Sequence, residues 1–184
     1  DGKTVRKEGY CTEIITDETL DWLKNKRDPN RPFCLLYHHK APHRNWLPAP
    51  KYVDLYDDVT FDPPANYFDD CEGRGTAARE QEMEFDSHAM WRHDFKLIVD
   101  PDGDTTNFIR DIRRMNDEQR ANWMRGYEEE NREFLENMPE GKELALWKFN
   151  RYIKDYLRTI KSVDDGVGEV LDYLEKTGLA ENTV

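Results

Sequence analysis

The chain has 184 residues, enough to bury one sizeable core and to form one domain. Charged residues make up 36%, apolar residues 37% and aromatic residues 12%, and that many aromatics argue against disorder. The formal net charge of −12 excludes general binding to a nucleic-acid backbone, while a local cationic pocket can still hold an anion against the overall field.

In chain order, "IITDETLDWLKNKRDPNRP" predicts a short helix. Thr16 reads as its N-cap, with Asp17 and Glu18 in the first turn and Ile15 and Leu20 as a hydrophobic staple. Lys24, Lys26 and Arg27 suit its C-terminal end, and Asp28-Pro29 stops it. "PFCLLYH" (32–38) is a continuous apolar run, the pattern of a strand buried on both faces, with Cys34 as a small buried hydrophobe. Helix, turn and buried strand in succession point to α/β architecture, helix-rich with few strands.

From residue 44 to about 80, Pro48, Pro50, Pro63 and Pro64 forbid long regular elements, and Trp46, Tyr52, Tyr56, Phe61, Tyr67 and Phe68 are threaded between them. A loop this long is functional or packs as a lid. Residues 73–97 read as partly helical. "DPDGD" (100–104) is a turn without the full spacing of a calcium loop. The last third is helical. Over 142–177 Ile153, Tyr156, Leu157, Ile160, Val163, Val167, Val170, Leu171 and Leu174 form one apolar stripe, which predicts a core face, and Gly178 follows as a C′ glycine. "LAENTV" starts a new element.

The cysteines, Cys11, Cys34 and Cys71, are odd in number and form no C-x-x-C pair, so neither a disulfide framework nor a zinc knuckle is expected. No stretch approaches the roughly 20 apolar residues of a membrane span. No signal-peptide pattern is visible at Asp1-Gly2-Lys3.

The densest chemistry is "YHHKAPHRNW" (37–46), which gathers His38, His39, Lys40, His43, Arg44 and Trp46 just past the expected strand. The C-terminal ends of strands in open α/β sheets are where ligands bind. A lysine and imidazoles converging there suit an anion with several oxygens, such as sulfate, phosphate or carboxylate. An imidazole can also give a proton to a departing oxygen. Two other readings stand beside this one. Strand-end histidines often only bond to backbone. His39 and His43 have the i,i+4 spacing of a metal pair on a helix, although Pro42 and the strand context oppose a helix here.

"RPFCLLYHHKAPHRNWLPAPKYVDLYDD" resembles the middle of a type I, formylglycine-dependent sulfatase of the alkaline-phosphatase superfamily. The flanks "GYCTEIITDETLDWLKNK" and "YIKDYLRTIKSVDDGVGEVLDYLEKTGLAENTV" resemble that family's segments in the same order. The match is good over about 1–56 and 149–184 and looser between, where "NYFDDCEGRGTAAREQEM" is similar to bacterial sulfatases acting on N-acetylglucosamine-6-sulfate, of mucin- or heparan-desulfating type.

The resemblance implies that His43 contacts the sulfate ester and assists the leaving oxygen. It implies that Lys40 lies near the sulfate and His39 close by. Arg44 and Trp46 would line the sugar subsite, with loop packing an equal role for Trp46. The family's nucleophile comes from Cys or Ser in C/S-x-P/A-x-R, and Cys11, Cys34, Cys71, Ser87 and Ser162 all lack that context. The family's calcium ligands have no counterpart here.

The expectation is therefore an internal segment, 1–184, of a sulfatase catalytic domain. It would carry one wall of the sulfate pocket, with formylglycine and calcium held by the remainder of the polypeptide. Alone it would be inactive and prone to self-association. The alternatives are a non-catalytic anion- or sugar-binding module, a structural fragment, or a related phosphoesterase. A periplasmic or extracellular location follows from the resemblance alone.

Overall fold

The computed structural model describes residues 2–85, 87–97 and 112–184; the turn expected at 100–104 lies outside the described residues. Helix α1 (Cys11–Asp21) runs on through a π-helical turn, Trp22–Lys26, and ends ahead of Asp28-Pro29. It begins well before the expected N-cap. Thr16 is instead buried inside it, donating to Thr12 O at 3.0 Å and meeting Tyr37 Oη at 2.5 Å. The hydroxyl finds its partner in a tertiary contact rather than at a helix end, so Ile15 and Leu20 form no N-terminal staple.

Residues 32–40 are extended but pair with no strand among the described residues. Phe33, Leu35, Tyr37 and His39 turn one half-buried side to the chain, and Cys34, Leu36, His38 and Lys40 are exposed on the other. The expectation of burial on both faces thus holds on one side only, and Cys34 is not buried. Nothing in the described residues covers the outer side, where Leu36 is 74% exposed.

The rest is built around two helices. α3 (Asp117–Glu136) opens on a capping box in which Asn116 Oδ1 accepts from Gln119 N and Gln119 Oε1 from Asn116 N. α4 (Gly141–Lys176) is the long helix; Gly178 beyond it takes φ +72°, the left-handed conformation that suits a glycine. The loop after residue 44 forms turns, a 3₁₀ turn at Pro50–Tyr52 and the short helix α2 (Thr76–Arg79). It straps along α4. Asn150 bonds both the N–H and the carbonyl of Phe61, Tyr67 Oη donates to Ala145 O, and Arg158 Nε donates to Leu55 O. α1 packs on the C-terminal half of α4, where Gly166 lets Thr16 and Tyr37 approach.

The face that α4 buries is not the apolar stripe. Val170 is buried, but Ile153, Tyr156, Leu157, Ile160, Val163 and Leu174 are only half-buried, and Val167 and Leu171 are exposed. The buried face carries Arg151, Asp155, Arg158, Thr159, Ser162 and Gly166. These polar groups are tolerated because they are paired. Asp155, fully buried, accepts from Tyr127 Oη (2.9 Å) and Arg158 Nη1 (3.1 Å) and lies 2.9 Å from Lys96 Nζ. Arg151 donates to Phe95 O and Asn131 Oδ1 and pairs with Glu130. Burial alone would push the Asp155 carboxyl up; the charges of Lys96, Arg151 and Arg158 outweigh it and hold the pKa below the usual value.

Candidate active site

The segment that carries the expected site leaves the extended run and folds back at once. His43 N donates to Lys40 O at 3.0 Å, closing a turn over the cis Ala41-Pro42 peptide, and Trp46 N reaches His43 O at 3.4 Å. Lys40, Pro42, His43 and Arg44 therefore lie in one tight loop. Lys40 and His43 are exposed, and His39 sits half-buried beside the Tyr37 ring, centroids 4.4 Å apart and edge to face.

Each expected residue has a distinct setting. His43 Nδ1 lies 2.6 Å from Arg44 O. A carbonyl oxygen only accepts, so Nδ1 carries the proton and Nε2 is the nitrogen left to meet a ligand. Both ring nitrogens of His39 are buried and have no hydrogen-bond partner among the described residues, and burial pushes its pKa down. Arg44 forks onto Asp94, with Nε 2.6 Å from Oδ1 and Nη2 2.5 Å from Oδ2. Trp46 packs edge to face on Tyr152 at 4.7 Å and beside Phe85, with Lys96 Nζ 5.7 Å from the centre of its ring. The helical geometry that a His39–His43 metal pair would need does not form. Among the described residues no three His, Cys, Asp or Glu side chains could hold a metal ion together.

The supporting residues come from "WRHDFKL" (91–97), which sequence reasoning passed over. Asp94 is 1% exposed; besides Arg44 it accepts from Met90 N at 2.7 Å and faces His93 Nδ1 at 3.4 Å. Burial raises its pKa, but the Arg44 hydrogen bonds and charge and the Met90 N–H outweigh that and lower it overall. Two residues on, Lys96 is buried, donates to Asp94 O at 2.9 Å and meets Asp155. The one local signal was an aspartate set among Arg92, His93 and Lys96 in an aromatic stretch, a composition that favours a paired, buried carboxylate.

A loop presenting a lysine and a tautomer-fixed imidazole, with half-buried His39 behind them, on an ion-paired base is suited to a small oxyanion ester. The Sulfatase family model matches residues 2–184. The chain belongs to the sulfatase family. It is 43% identical to an N-acetylglucosamine-6-O-sulfatase of Bacteroides thetaiotaomicron, over all of this chain and 33% of that protein. It is also similar, with a TM-score of 0.88 and 44% identity, to a protein solved in complex with its substrate D-glucosamine-2-N,6-O-disulfate; the match covers 97% of this chain and 36% of that one. This sulfatase chain thus spans about a third of the length of the curated relative it matches. At a TM-score of 0.88 its helix-rich structure corresponds to a part of that larger chain.

Proposed function

We propose that this chain is a segment of a sulfatase that hydrolyses a sulfate monoester on an amino sugar, N-acetylglucosamine-6-sulfate or a close relative. The observation that carries the reading is the likeness to the N-acetylglucosamine-6-O-sulfatase over the whole chain. The loop at 38–46 supports it.

In this reading His43 is the acid. With Nδ1–H held by the Arg44 carbonyl, protonated His43 presents Nε2–H to the ester oxygen and gives it the proton as the sulfur–oxygen bond breaks. The Lys40 ammonium offsets charge on the sulfuryl oxygens. His39, whose two ring nitrogens are buried in this structure, backs the loop from within. Arg44 and Trp46 border the sugar. The described residues do not fit the calcium that the resemblance implies, since none cluster as a metal cage. The cage, and the formylglycine nucleophile that would accept the sulfuryl group as that bond breaks, are assigned to the remainder of the polypeptide. Export to the periplasm or beyond belongs to the same reading.

Sulfate release from N-acetylglucosamine-6-sulfate tests this, with the full-length protein and the 184-residue chain assayed side by side. Release by the full-length protein alone is expected. No release by the full-length protein favours a non-catalytic anion- or sugar-binding role, and release by the chain alone overturns the division of labour proposed here.

A further inference from the structure

Between the exposed loop and the charged core lies one carboxylate with no role in the reading above. We propose that Asp94 is a positioning residue for His43, acting through both ends of Arg44. This rests on the sulfatase reading for its kinetic consequence, though not for its structural one.

Asp94 is buried and grips the Arg44 guanidinium at two points, 2.6 and 2.5 Å. A bidentate fork fixes direction as well as distance, which a single contact does not. The backbone carbonyl of the same arginine receives His43 Nδ1–H at 2.6 Å. The guanidinium thus anchors residue 44, and residue 44 selects the imidazole tautomer. Asp94 is itself held, accepting from Met90 N, while its own carbonyl receives Lys96 Nζ. Lys96 meets Asp155 of α4 and lies at the Trp46 ring on the far side of the loop. The exposed imidazole is thereby connected to the buried charges of α4 through defined contacts. Among the described residues, His93, 3.4 Å from Asp94, and the Lys96 ammonium also act on that carboxylate.

The test uses the full-length protein with histidine labelled with nitrogen-15, at mildly alkaline pH where imidazoles are neutral. In the wild type, His43 is expected as the Nδ1–H tautomer. In Asp94→Asn, which keeps the shape but breaks the fork, the Nε2–H tautomer should gain population. Arg44→Lys, which keeps a charge without the fork, should do the same and serves where Asp94→Asn does not fold.

Kinetically, Asp94→Asn should lower kcat on N-acetylglucosamine-6-sulfate on the order of tenfold to a hundredfold. It should leave 4-nitrophenyl sulfate nearly unaffected, because that leaving group departs without an acid. It should add little to His43→Ala. An unchanged tautomer in both variants overturns the proposal, as does equal loss on both substrates. A shifted tautomer in a protein that releases no sulfate would uphold the positioning and overturn only the sulfatase reading.

Discussion

The inner face of α4 and the outer side of residues 32–40 are opposites. The first is charged and buried, with Arg151, Asp155 and Arg158 almost fully enclosed; the second is open, with the apolar Cys34 and Leu36 facing out beside His38 and Lys40. Burial in this molecule follows pairing and not polarity alone. A charge can be enclosed when its partners come from several elements at once, as Lys96, Tyr127 and Arg158 do for Asp155. An apolar side chain stays open where no described element packs on it, as at Leu36.

The largest effect should come from breaking the charged side of this contrast. Asp155→Ala leaves Lys96 and Arg158 enclosed without their shared carboxylate and should cost about 3–5 kcal/mol of stability in denaturant unfolding. A loss under about 1 kcal/mol, the range of exposed pairs, would mean the cluster is wetter than described.

Acid probes the same contacts. Asp155 and Asp94 both have lowered pKa values in the folded state. Their contribution to stability is therefore intact above the ordinary Asp range near about 3.9 and is lost as pH falls through the lower folded values. The wild type should lose stability steeply there, and Asp155→Ala should show a shallower loss in the same titration.

Close packing sharpens the contrast at an intermediate scale. A Cβ on Gly126 of α3 would fall 2.2 Å from Val53 Cγ2 in the apolar core with Ile112, Trp123 and Tyr127. Gly126→Ala should destabilise by about 1–3 kcal/mol. Adding Val53→Ala should recover part of that loss, and strict additivity of the two would count against the contact. The smallest effect belongs to the open side. Leu36→Ser in the 184-residue chain should change unfolding by less than about 0.5 kcal/mol. In sedimentation it should reduce self-association, if an exposed apolar strip drives it.

What the sequence made legible follows the same division. The long helix could be read because its apolar stripe keeps a helical period and Gly178 marks its end. Which face it buries could not be read, because the partners of Asp155 and Arg151 lie far away in sequence, at Lys96, Tyr127 and Glu130. Thr16 resembled a cap because a hydroxyl before acidic residues usually is one; its tertiary partner Tyr37 decided otherwise. α3 carried an Asn116…Gln119 capping signal that pattern reading passed over. At the site, residue types and their clustering drew attention to the loop at 38–46. Its support by Asp94 had no spacing to reveal it, because the fork joins two loops whose proximity only the fold creates.

In the proposed reading this loop does chemistry on a sulfate ester. Sulfate release from N-acetylglucosamine-6-sulfate by the full-length protein, wild type against His43→Ala, tests it most directly. A fall in kcat on the order of a hundredfold or more, with unfolding unchanged, is expected. Equal turnover in the two proteins would contradict it.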